Sequence, residues 1–111
     1  MGSVRVISAD RATVERAVTA HARRLRERYP AVRRIVWFGS WVTGVPTPGS
    51  DVDLCVVLGH AAEKFRDRIP ALLPDAFPVG LDIFPYTEEE MERLRVTSPG
   101  WHATLTTGRE L

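Results

Sequence analysis

The chain of 111 residues has one cysteine, Cys55, so no internal disulfide can staple it, and no Cys/His spacing suited to zinc occurs. It has no apolar stretch long enough to cross a membrane. No signal-peptide pattern opens it, and Met1-Gly2-Ser3 lacks the following Ser or Thr of a myristoylation signal. A cytoplasmic protein without a membrane partner is therefore expected. It also lacks an excess of charge. The net value of +1 gives no global attraction to nucleic acid or to an anionic surface. Lysine is nearly missing: of 15 basic residues only Lys64 is one, which reads first as compositional bias. What remains is ordinary for a globular protein, 44% hydrophobic and 26% charged. At this length residues 1–111 are expected to form one domain.

Apolar periodicity sets out the elements. Residues 4–7 form a short apolar run, either a strand or a lead-in. Asp10 is a plausible N-cap, and Val14, Ala17, Val18, Ala22 and Leu25 follow at helical spacing as far as Tyr29-Pro30. Arg23, Arg24, Arg26 and Arg28 crowd the last turns, where cations suit the helix dipole. With Glu27 among them and no interleaved aromatics, a stacking platform for single strands is not expected, and nucleic acid is set aside as a partner. Ile35-Val36-Trp37-Phe38 suits a central strand covered on both faces.

Residues 40–43 suggest a short helix with Trp41 in the core, followed by a Pro- and Gly-rich loop. Residues 51–58 alternate as a strand, placing Cys55 as a small buried residue. Residues 61–73 read as a helix that Pro70 kinks or ends. A strand over 79–84 should stop at Pro85. Thr87 and Glu90 make a capping box. Ser98-Pro99 starts a last helix, which Gly108 stops. His60 reads as a surface turn residue, and His21 and His102 as partly exposed helix residues. The alternation gives an α/β fold, a mixed sheet of three or more strands.

Three carboxylates interrupt these apolar runs. Asp51 and Asp53 share a strand face, roughly 6.5–7 Å apart along the chain. Asp82 sits in the next apolar run and joins them if that strand pairs alongside. Like charges so placed favour a hard divalent cation such as Mg²⁺ with oxygen ligands. Three carboxylates can hold two such ions about 3.5–4 Å apart, an arrangement suited to in-line phosphoryl displacement. Gly39 allows close backbone approach to a phosphate. Ser40 adds a hydroxyl and an N–H at a helix start. The candidates are thus Asp51, Asp53 and Asp82 for metal and catalysis, and Gly39 and Ser40 for nucleotide.

The order Gly39-Ser40, Gly44, Ser50-Asp51-Val52-Asp53-Leu54 resembles the signature of the DNA polymerase β-type nucleotidyltransferase superfamily. In length the chain is similar to its minimal nucleotidyltransferase (MNT) proteins. The resemblance implies a nucleotidyltransferase-like sheet with helices mainly on one side, and Asp51, Asp53 and Asp82 as the carboxylate triad. It implies Mg²⁺ as cofactor, ATP or another NTP as substrate, and transfer of AMP to a hydroxyl of a partner protein. The partner class it implies is a small helical HEPN-type toxin, with this chain as the antitoxin. A non-catalytic antitoxin that neutralises by binding is the alternative. Many members carry a basic residue after the Ser; here Trp41-Val42-Thr43 stands in that place. The chain ends at Leu111, which leaves no residues for an acceptor-holding second domain, so a partner is expected to supply that wall. Acceptor, preferred nucleotide and oligomeric state stay open at this point.

Overall fold

The computed structural model describes residues 10–44, 46 and 50–111. The run 4–7 and residues 45 and 47–49 of the loop lie outside them. The element order is α1 (Arg11–Arg28), β1 (Val32–Phe38), α2 (Ser40–Thr43), β2 (Val52–Leu58), α3 (Phe65–Leu72), β3 (Leu81–Thr87), α4 (Glu88–Thr97), α5 (Pro99–Thr106) and β4 (Arg109–Glu110). Among the described residues the sheet has four strands, in the order β3-β2-β1-β4. β1 runs antiparallel to β2 and β4, while β2 and β3 are parallel, so the sheet is mixed. No described helix is long and apolar enough to cross a membrane.

Alternation divides the core into two layers. Ile35 and Trp37 of β1 and Val52, Leu54, Val56 and Leu58 of β2 pack with Val14, Val18, Ala22 and Leu25 of α1. Val36, Phe38, Cys55 and Val57 face the other way and pack with Met91 and Leu105. The helices thus cover both faces rather than mainly one. The reason is already present in β1, where every residue from Ile35 to Phe38 is buried and needs a partner layer on each side.

Caps fall where the residue types place them. Asp10 accepts the Thr13 N–H at 2.8 Å. Thr87 and Glu90 close the capping box, with bonds of 3.1 and 2.9 Å. Trp41 is buried and donates its indole N–H to Ser50 O at 2.8 Å.

Four further expectations change. The helix starts at Phe65 rather than 61, and Pro70 lies inside it, two residues before its end. β3 does not stop at Pro85; it continues to Thr87 with Pro85 opposite Val56. β3 is an edge strand, where a residue without an N–H costs no ladder bond on its open side. The chain end forms β4, pairing Val36 with Glu110 and Trp37 with Arg109. His21 is buried, 3% exposed, with Nε2 2.8 Å from Leu72 O.

A carbonyl only accepts, so Nε2 of His21 carries the proton, and the buried Nδ1 finds no hydrogen-bond partner among the described residues. Burial, opposed in part by the Leu72 contact, holds the His21 pKa below its ordinary value. The folded state therefore binds fewer protons than the unfolded chain near and below about pH 6.5, and this contribution to stability falls as pH drops. His21→Phe should remove that part of the acid sensitivity. Urea midpoints of both proteins at pH 7.5 and 5.5 would check it.

Candidate active site

The site is built on strand register. β1 and β2 pair Phe38 with Asp53, and β2 and β3 pair Asp53 with Asp82. Adjacent strands lie ~4.8 Å apart, so Asp53 and Asp82 are direct neighbours on one face. Asp51 precedes β2 and is exposed, as is Asp82; Asp53 between them is half-buried. The Val52 N–H donates to Gly80 O at 2.9 Å, tying the start of the carboxylate strand to the approach of β3.

Two glycines let the backbone close around these side chains. Gly39 has φ of +90°, a left-handed conformation that disfavours any Cβ, and a Cβ there would strike the Asp53 carboxylate. A Cβ on Gly80 would strike the Asp51 carboxylate. Ser40 opens α2 as expected and is exposed. The expected site residues therefore gather at one end of the sheet: Asp53 beside Asp82, Asp51 against Gly80, and Gly39 over Asp53.

The electrostatics follow from this packing. Burial first, then the charges of Asp82 and Asp51, push the Asp53 pKa up to about 6 from 3.8. A half-buried carboxylate with two acidic neighbours is a seat of negative potential, and three carboxylate donors suit a hard divalent cation. Yet the side chains do not form a finished cage. Among the described residues no group of three or more His, Cys, Asp or Glu is arranged to hold a metal ion. His60 is exposed, and His102 is a half-buried residue of α5, as far from notice as the sequence suggested.

Residues 18–99 match the nucleotidyltransferase domain family. The chain belongs to that family. Its substrate class is accordingly a nucleoside triphosphate, and its activity class is transfer. A crystal structure of a candidate nucleotidyltransferase from Sulfolobus solfataricus superposes with a TM-score of 0.60 at 18% identity, covering 84% of each chain. At that identity the likeness speaks for the fold alone. No curated protein matches the chain.

Two features of this nucleotidyltransferase site went unread in the sequence. Gly80 is one residue of the strand expected over 79–84, and its only signal is its place two positions before Asp82. Arg68 lies within the helix expected over residues 61–73. It is buried, donates to Pro85 O at 2.8 Å and to Glu63 O at 2.8 Å, and forms a forked pair with Glu90 at 2.7 and 3.1 Å. Arg68 thereby pins the edge strand that carries Asp82 to α3 and α4. Its signal was its position three after Phe65 and four before Leu72, on the inward face of α3.

Two predictions follow from this site. Ionising Asp53 works against folding above about pH 6, because its folded pKa lies above the unfolded value. Without divalent cations, Asp53→Asn should therefore be more stable than the parent at pH 8, by roughly 1 kcal/mol after solvent screening. The gap should close near pH 4; urea unfolding at the two pH values measures it. Arg68→Met should cost about 2 kcal/mol, since it strands Glu90 and two carbonyls. Arg95→Met, which breaks only the exposed pair with Glu92, should change stability little in the same assay.

Proposed function

We propose that this chain transfers AMP from ATP to a hydroxyl of a partner protein, acting as an antitoxin of the MNT type on a small helical HEPN-type toxin. Membership of the nucleotidyltransferase family supports the transfer. The observation that carries the site is the pairing of Asp53 with Asp82 at one sheet end, with Asp51 close enough to help raise the Asp53 pKa. In this reading Asp51, Asp53 and Asp82 hold Mg²⁺, which when bound supplies charge neutralisation for the phosphate oxygens. Gly39 and Ser40 lie against the outer phosphates, and Gly39 fits this because its backbone has no Cβ to hold the phosphates off. Asp82, the more exposed of the register pair, orients the acceptor hydroxyl and takes its proton. The hydroxyl oxygen forms a bond to the α-phosphorus, the bond to the β-phosphate oxygen breaks, and pyrophosphate leaves. Catalysis here is positioning and charge stabilisation.

One observation favours the rival, a non-catalytic antitoxin. The residue after Ser40 is Trp41, turned into the core, so the phosphate turn has no basic side chain of its own, and the Arg11 guanidinium beside it is engaged by Trp41 O at 3.0 Å. The two readings part in one experiment: the partner is incubated with this protein, ATP and Mg²⁺, and its mass is measured. Transfer predicts a gain of one or more AMP units that Asp51→Asn/Asp53→Asn abolishes. An unchanged mass, with full inhibition of the partner by that double variant, would establish the binding reading. Asp82→Asn should lower turnover far more than Mg-ATP affinity, because its role is at the acceptor; normal turnover with weak ATP binding would contradict this.

A further inference from the structure

The face that carries Asp53 and Asp82 continues, one strand repeat inward, into aromatic rings. Phe84 follows Asp82 by two positions on the same face of β3 and pairs with Cys55. Phe38, opposite Asp53, lies 5.4 Å from Phe84 between ring centroids. Trp101, near the start of α5, closes the triangle at 6.0 Å from Phe38 and 5.5 Å from Phe84. Burial is unequal within it. Phe38 is 5% exposed and serves as the floor, whereas Phe84 and Trp101 are only half-buried.

The indole is held in place. Trp101 Nε1 donates to Tyr86 Oη at 3.0 Å, so the ring keeps its orientation without a ligand. Trp37 and Trp41, in contrast, are buried in the opposite layer. Half-open aromatic surface on a fixed ring, adjoining a carboxylate pair, is an arrangement that a flat aromatic ligand group can cover.

We infer that Phe84 and Trp101 seat the nucleobase of the triphosphate substrate. The inference rests on the nucleotidyl-transfer reading and adds to it the groups that hold the base. The carboxylates fix the phosphate end at the strand start, and the ribose spans the single strand repeat between Asp82 and Phe84. Contact is through ring faces, so the seat takes any purine and favours it over a pyrimidine by stacking area. It distinguishes bases little by hydrogen bonding, because the one polar group of the indole is engaged by Tyr86.

The test compares Mg-ATP with Mg-tripolyphosphate, which has the phosphates but no base, by calorimetry on the full chain. The proteins are the parent, Trp101→Leu, Phe84→Leu and Trp101→Phe. The two Leu variants should bind ATP about tenfold or more weakly while tripolyphosphate affinity holds. Trp101→Phe, which keeps a ring but not the bond to Tyr86, should recover most of the ATP affinity. Parallel loss of both ligands would show that the rings only support the fold, and ATP affinity untouched by either Leu variant would equally overturn the inference. A parent that binds neither ligand would sink the nucleotidyl-transfer reading itself, and this inference with it.

Discussion

The arrangement depends on one unfavourable interaction, the crowding of Asp53 by two other carboxylates in a half-buried place. Ladder bonds and register hold it there. Asp53 cannot leave Asp82 without a slip of β2 against β3, and such a slip by one residue would turn the whole apolar set of β2 to the wrong layer. The hydrophobic core on both faces therefore keeps a like-charge cluster together that would disperse on its own. Burial first, then the charges of Asp82 and Asp51, push the Asp53 pKa up to about 6.

The surrounding features can be read as support for that cluster. Arg68 anchors the edge strand through Pro85 and Glu90, so that Asp82 rides on a strand that would otherwise be held along one side only. Gly39 and Gly80 remove the Cβ atoms that would push the carboxylates apart from their backbone neighbours. β4 gives β1 a second neighbour, and the ion pair of Arg34 with Glu110 fastens it. Thus β1, the strand that leads into Gly39 and Ser40, is paired on both sides.

Much of this was legible in the sequence for physical reasons. The alternating carboxylates of 51–53, the capping box at Thr87 and the core role of Trp41 each rest on local rules of spacing, and each has a local counterpart in the structure. The family likeness, carried by Gly39-Ser40 and Asp51-Val52-Asp53, held as far as the nucleotidyltransferase domain. What was missed depends on distant parts of the chain. Pro85 looked like a strand terminator because its tolerance depends on β3 being at the sheet edge. β4 has two residues, too few to show a period. His21 and Arg68 are polar side chains whose burial is decided by Leu72 and Glu90, 51 and 22 positions away. The continuous apolar run Ile35–Phe38 called for cover on both faces, but not for α4 and α5 in particular, whose docking on the second face no local pattern sets.

The most direct measurement is the titration of the Asp53 carboxyl by carbon NMR, with and without Mg²⁺. The account predicts an apparent pKa near 6 without the ion, assigned through loss of the signal in Asp53→Asn, and a marked fall when Mg²⁺ is added. An Asp53 that titrates in the ordinary carboxylate range and ignores Mg²⁺ would contradict it.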